Sequence, residues 1–172
     1  MTLQRTIKKH VTLSGIGVHT GRVINLRIKP HTPNKGIVFR RIDLTHTPEV
    51  PAKYSYVVNT QFATTLGIGK VTISTVEHLL AAMHGLGIDN AIIELDGPEI
   101  PILDGSAYEF CKVLLTAGVE IQSDLRQELI LKRPIELKIA EKWACAWPSP
   151  RFIIDASVEW DHQMIGYQSF KY

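Results

Sequence analysis

Ser74-Thr75-Val76-Glu77-His78-Leu79-Leu80-Ala81-Ala82-Met83-His84-Gly85 is followed, after a turn and a short apolar run, by Asp96-Gly97-Pro98-Glu99-Ile100-Pro101-Ile102-Leu103-Asp104-Gly105-Ser106. The stretch reads as helix, turn, strand, loop and helix. Ser74 and Glu77 have capping-box spacing, in which each side chain satisfies a free N–H of the first turn. Val76, Leu79, Leu80 and Met83 recur at i, i+3, i+4 and i+7, one apolar helix stripe. Gly85 is expected to supply the left-handed end of that helix. Ser106 and Glu109 repeat the capping spacing. Phe110, Val113, Leu114 and Ala117 repeat the stripe, and Gly118 closes it. A strand is expected from Asn90 to Leu95.

Outward toward the N-terminus the pattern changes to strands. Residues 4–13 read as a first strand entering a glycine-rich turn. Gly15-x-Gly17-x-x-x-Gly21 has some likeness to a dinucleotide loop. The third glycine is one position late, and Ile24, Leu26 and Ile28 alternate as a strand rather than opening a helix, so that reading is rejected. Pro30, Pro33, Asn34 and Gly36 mark a turn. Ile37 to Ile42 is another strand, Pro48 to Tyr56 is irregular, and Thr64 to Ile73 reads as a hairpin around Gly67-Ile68-Gly69. Several strands with two late helices predict an α+β fold: a two-layer β-α-α-β domain with both helices on one face of a mainly antiparallel sheet.

Beyond Gln122 to Arg126 the pattern restarts. Glu128 to Leu137 echoes Arg5 to Leu13, and strands follow at Trp143 to Trp147 and Arg151 to Trp160. The chain then ends without a second pair of helices. The expected organisation is a complete domain over residues 1–124 and the first strands of a second, similar domain over 125–172. A sheet without covering helices leaves apolar surface and open edges.

Bulk properties exclude several classes. The 172 residues are 45% hydrophobic and 21% charged, ordinary globular values. A net charge of +2 gives no case for a nucleic-acid partner. The distribution is uneven, with nine Lys/Arg and no Asp/Glu from Met1 to Ile42, and seven Asp/Glu and no Lys/Arg from Val71 to Cys111. The basic stretch suits either an anionic ligand such as a nucleotide diphosphate or a solvated strand surface. Cys111 and Cys145 form no spacing motif and are expected reduced. Met1-Thr2-Leu3-Gln4-Arg5 lacks a signal-peptide apolar region. No apolar run approaches the ~20 residues of a membrane span.

On the residues alone, Glu77 reads as a helix cap. His78 reads as a surface histidine, because a lone histidine is a weak metal signal. H-E-x-x-H is absent, H-x-x-E-H would need a histidine where Ser74 stands, and His84 lies off the face of His78.

Several segments, taken together, resemble one family. They are Thr75-Val76-Glu77-His78-Leu79, Gly85-Leu86-Gly87-Ile88-Asp89-Asn90 and Pro98 to Ser106. Arg5-Thr6-Ile7, Gly15 to Gly21 and Phe39-Arg40-Arg41-Ile42-Asp43-Leu44 belong with them. The chain resembles UDP-3-O-acyl-N-acetylglucosamine deacetylase, a zinc enzyme of lipid A synthesis, over essentially its whole length. The resemblance implies two domains of similar build with facing helices, and a location in the cytoplasm of a Gram-negative-type bacterium. It implies hydrolysis of the N-acetyl group with release of acetate, with His78 as a Zn2+ ligand and Glu77 as general base. It also implies substrate contacts at His19, Lys142, Glu159 and Trp160, the last two holding the uracil. Lys142 alone reads as a surface lysine, His19 as a turn residue and Trp160 as a strand-end residue packed on a core. Asp104 reads as structural, holding the turn before the second helix. Gln163 departs from the family's usual proline.

The family's other zinc ligands lie in an H-K-x-x-D motif, which this sequence lacks, as it lacks the family's later catalytic histidine. The chain is therefore expected to be inactive alone. The alternatives are a non-catalytic UDP-sugar-binding or interaction module, and one half of a split deacetylase completed by a second-domain chain or by self-association.

Overall fold

Alternation decides the first layer. In Val23–Pro30, Ile24, Leu26 and Ile28 are buried while Val23, Asn25 and Arg27 face solvent, as a period of two demands of a half-buried strand. The computed structural model describes residues 2–46 and 48–172. Its elements begin with β1 (Leu3–Ile7), β2 (Val11–Ile16), β3 (Val23–Pro30), β4 (Ile37–Arg41) and β5 (Val50–Pro51). After a 3-10 turn at Tyr54–Tyr56 come β6 (Val57–Asn59), β7 (Thr65–Ile68) and β8 (Val71–Ile73). Then follow α1 (Glu77–Gly85), β9 (Ala91–Leu95), α2 (Tyr108–Ala117) and β10 (Val119–Leu125).

The main sheet has the order β2-β3-β9-β4-β5. Its pairs are antiparallel except β4 with β9, which run parallel. β6, β7 and β8 form a second antiparallel sheet, and β1 pairs with β10. Phe39, Ile93, Leu95, Ile24 and Leu26 on the inner face join Leu79, Met83, Phe110 and Leu114 of the helices in one core. The fold class is α+β, as expected. The outer face is charged: Arg27 and Arg40 stand in register on either side of Glu94. Together with Lys29 they pair with that carboxylate. Three cations of the basic N-terminal stretch thus lie on a solvated strand surface.

The single strand expected over residues 4–13 is two. The chain bends at Lys8–His10, where the Lys8 N–H donates to the Gly118 carbonyl at 2.9 Å. β1 then serves β10 while β2 enters the main sheet. The helix ends also differ from expectation. α1 runs through Gly85, and Gly87 takes the left-handed turn at φ 67°. Gly87 N–H donates to His84 O at 3.0 Å and Ile88 N–H to Met83 O at 2.9 Å, a Schellman closure whose apolar contact is Met83 with Ile88. Neither helix forms a capping box. Ser74 instead accepts the Thr65 hydroxyl, and Glu109 binds Lys112.

The chain divides into a first unit ending at Arg126 and a second over Gln127–Tyr172. The second unit carries two hairpins, β11 (Ile135–Ile139) with β12 (Lys142–Ala146) and β13 (Asp155–Glu159) with β14 (Tyr167–Lys171). Every residue of β11, β13 and β14 is exposed, including Ile135, Leu137, Ile139 and Phe170.

Candidate functional site

The site is built on what precedes α1. Thr75 is buried in the left-handed region at φ 59°, an unfavourable backbone for a β-branched residue. The flanking segments hold it there. Ser74 N–H donates to Pro98 O at 2.8 Å, and Ile100 N–H donates to Ser74 O at 3.0 Å. Ser74 and Glu99 form a parallel bridge. The chain leaves that bridge into the first turn of α1, which presents Glu77 and His78 side by side, both half-buried. Adjacent helix positions diverge by about 100°, so the two side chains address different directions. Glu77 is not a cap for Ser74; its Oε2 accepts the Thr64 N–H at 3.2 Å.

His78 shares its surroundings with the loop before α2. Asp104 accepts the Ser106 N–H at 3.0 Å and the Ser106 hydroxyl at 2.9–3.0 Å. Those bonds, with a smaller contribution from the nearby His78, hold its carboxyl below the ordinary range. Ser106 in turn accepts the Tyr108 N–H at 3.0 Å. Asp104 therefore does hold the turn before α2.

His19 sits exposed in the turn after β2, closed by Gly17 N–H to Arg22 O and Gly21 N–H to Gly17 O, both 2.9 Å. Glu99, which the sequence reading passed over, fastens that turn. Its Oε1 accepts the His19 N–H at 2.9 Å and the Thr75 hydroxyl at 3.2 Å, and its Oε2 accepts the Thr20 N–H at 2.9 Å. Burial pushes the Glu99 carboxyl up, but these donors and the Thr20 hydroxyl outweigh it and hold it below the ordinary value. A Cβ on Gly17 would lie 2.3 Å from Oε2, so only glycine lets the turn close on the carboxylate. The signal was in the sequence as Pro-Glu-Ile-Pro: an acid between apolar residues predicts a buried carboxylate in need of donors.

Lys142, Glu159 and Trp160 lie in the second unit. Lys142 opens β12 beside the turn of its hairpin. Glu159 ends β13, and Trp160 N–H donates to Gly166 O at 3.1 Å across the loop that carries Gln163. Trp160 is 61% exposed, so it is not packed on a core. Among the described residues, no group of three His, Cys, Asp or Glu side chains is placed to hold a metal ion. A catalytic zinc centre takes at least three protein ligands, and no such set gathers around His78 among the described residues. Among the described residues, no helix is long and apolar enough to cross a membrane.

A family model described as UDP-3-O-acyl N-acetylglycosamine deacetylase matches residues 4–172. The chain is 42% identical to the UDP-3-O-acyl-N-acetylglucosamine deacetylase of Myxococcus xanthus over 167 residues, 97% of this chain and 53% of the relative. It is 41% identical to that of Citrifermentans bemidjiense over 96% of this chain and 54% of the relative. It is 43% identical to that of Legionella pneumophila over 94% of this chain and 53% of the relative. The chain spans about half the length of these relatives.

Proposed function

The chain belongs to the UDP-3-O-acyl N-acetylglycosamine deacetylase family, and from that premise we propose that it supplies the Glu77–His78 side of a deacetylase acting on UDP-3-O-acyl-N-acetylglucosamine. The reaction adds water across the acetamide and yields acetate and the free amine. The observation that carries this reading is the placement of Glu77 and His78 together on the first turn of α1, beside the turn that bears His19.

Glu77 is the base of this reading. Thr64 N–H holds Oε2, and Oε1 takes a proton from the attacking water, as a positioned carboxylate can. His19, exposed on a turn with a fixed backbone, is a donor toward the substrate. Lys142 offers a charge to the sugar, Glu159 a hydrogen bond to the uracil, and Trp160 a ring on which that base stacks. Zinc supplies a Lewis acid when bound in such a centre. Among the described residues no set of side chains completes that centre; in this reading His78 is one ligand and the others come from a second polypeptide segment. This favours a chain that is inactive alone over one that is active alone.

The test is acetate release from UDP-3-O-acyl-N-acetylglucosamine with zinc present. The chain is assayed alone and mixed with the separately expressed C-terminal half of the Myxococcus xanthus relative. Activity only in the mixture, lost with His78→Ala and Glu77→Gln, is the expected result. Robust activity of the pure chain sinks the claim that its centre is incomplete. Silence of both, with the second half shown to be folded, moves the reading to a non-catalytic UDP-sugar-binding module, which the exposed Trp160 favours.

A further inference from the structure

Glu99 is fully buried, and the groups that hold it are neutral: two backbone N–H groups and the hydroxyls of Thr20 and Thr75. A buried charge answered only by dipoles costs free energy unless each oxygen is satisfied. Both are. Oε1 serves His19 and Thr75, while Oε2 serves Thr20. An amide could not do this, because a glutamine would present a donor where donors already point.

The main chain at Glu99 is fixed by the Ser74 bridge on one side, and Ile102 N–H reaches Ile16 O at 3.0 Å on the other. The segment therefore lies between the end of β2 and the entry to α1. The Glu99 carboxylate spans from that segment to the His19 turn. Thr75, held by the same oxygen, is two residues before Glu77 and three before His78.

We propose that Glu99 is a positioning residue whose carboxylate sets the spacing between His19 and the Glu77–His78 pair for one substrate. This rests on the reading of His19 as a substrate contact. It predicts that Glu99 matters to binding only through His19. A merely structural role would weaken binding whether or not the imidazole is present.

The experiment uses the 172-residue chain in four forms: wild type, Glu99→Gln, His19→Ala and the double variant. Calorimetry gives the affinity of each for UDP-3-O-acyl-N-acetylglucosamine, and hydrogen exchange reads the amides of His19 and Thr20. Loss of a charge-assisted backbone bond predicts about tenfold weaker binding in Glu99→Gln and about tenfold faster exchange at those two amides, with β9 amides unchanged. In the His19→Ala background, Glu99→Gln is expected to change affinity by less than about twofold. Equal weakening in both backgrounds overturns the proposal, and so does unchanged exchange at His19 and Thr20. If His19→Ala binds as wild type does, or the wild type fails to bind even when mixed with the separately expressed C-terminal half of the Myxococcus xanthus relative, the substrate reading of His19 fails and the proposal with it. Exchange alone then decides whether Glu99 holds the turn. Should Glu99→Gln not fold, Glu99→Asp keeps the charge and shortens the reach. It is expected to show the same pattern with smaller factors, and additivity with His19→Ala would overturn the proposal equally.

Discussion

The backbone N–H of His19 and the hydroxyl of Thr75 donate to the same atom, Oε1 of Glu99, at 2.9 and 3.2 Å. Two segments far apart in sequence thereby share one acceptor. One carries a histidine on a glycine turn; the other leads into the helix that presents Glu77 and His78. The glycines at 15 and 17 follow from this meeting. A Cβ at Gly15 would fall 2.8 Å from Pro101, and one at Gly17 would strike Glu99 itself.

Acid should loosen this junction. The Glu99 carboxyl is held below its ordinary value of 4.5 in the folded chain. The unfolded chain then takes up the proton first as pH falls. The stabilisation is fully present above 4.5 and is lost as pH drops through the lowered folded value. Urea midpoints from pH 7 to pH 3 should fall less steeply in Glu99→Gln than in wild type. Equal slopes would mean that folding leaves the Glu99 carboxyl at its ordinary value.

Gly85 and Gly87 should respond oppositely to alanine. Gly85 is helical with open space at its missing Cβ, so Gly85→Ala is expected to stabilise by about 0.5–1 kcal/mol. Gly87 has φ 67° and an Arg126 nitrogen 3.2 Å from the built Cβ, so Gly87→Ala is expected to cost about 1–2 kcal/mol. Denaturant midpoints of the two variants decide it. The reverse order would place the helix end at Gly85.

Asn90→Ala should be among the costly single changes in the first unit. Its Oδ1 accepts the N–H groups of Lys35 and Gly36 at 3.1 and 2.7 Å, and its Nδ2 donates to Gln4 and Gln122 at 2.8 and 2.7 Å. Removing the amide strands partners from β1, β10 and the turn before β4, at a cost of about 2–4 kcal/mol. Chemical unfolding of the variant measures it. A loss below about 1 kcal/mol would show that water replaces the amide.

Trp160 should report the nucleotide. Trp143, Trp147 and Trp160 are all largely exposed, so fluorescence should be water-like in the free chain. If uracil stacks on Trp160, UDP quenches part of the emission, and Trp160→Leu removes that part. Quenching that survives the substitution would place the base elsewhere.

Much of this was legible in the sequence. The apolar stripe of Val76, Leu79 and Met83 and the alternation of Ile24, Leu26 and Ile28 each record a local period, and both face the core. Capping was less legible. Ser74 and Glu77 have the right spacing, yet the bridge to Glu99 draws Ser74 away and Thr64 takes the Glu77 carboxylate. Long-range partners overrode a local rule worth about 1 kcal/mol. Asp89 and Asn90 end the Gly85–Asn90 segment, and no local spacing explains them. Asp89 pairs with Arg126 and accepts the Arg5 N–H, so the motif closes the two ends of the first unit on each other.

The sequence by itself determined the α+β class, the two helices and their inner faces, and the adjacency of Glu77 and His78. Those follow from periodicities within a few residues and from neighbouring positions on one helix. The tertiary structure decided which strands pair and that residues 4–13 break between two sheets. It also decided that Glu99 joins the His19 turn to the entry of α1. The reason is that a buried carboxylate must find its donors wherever the fold brings them, and no local spacing encodes where that is.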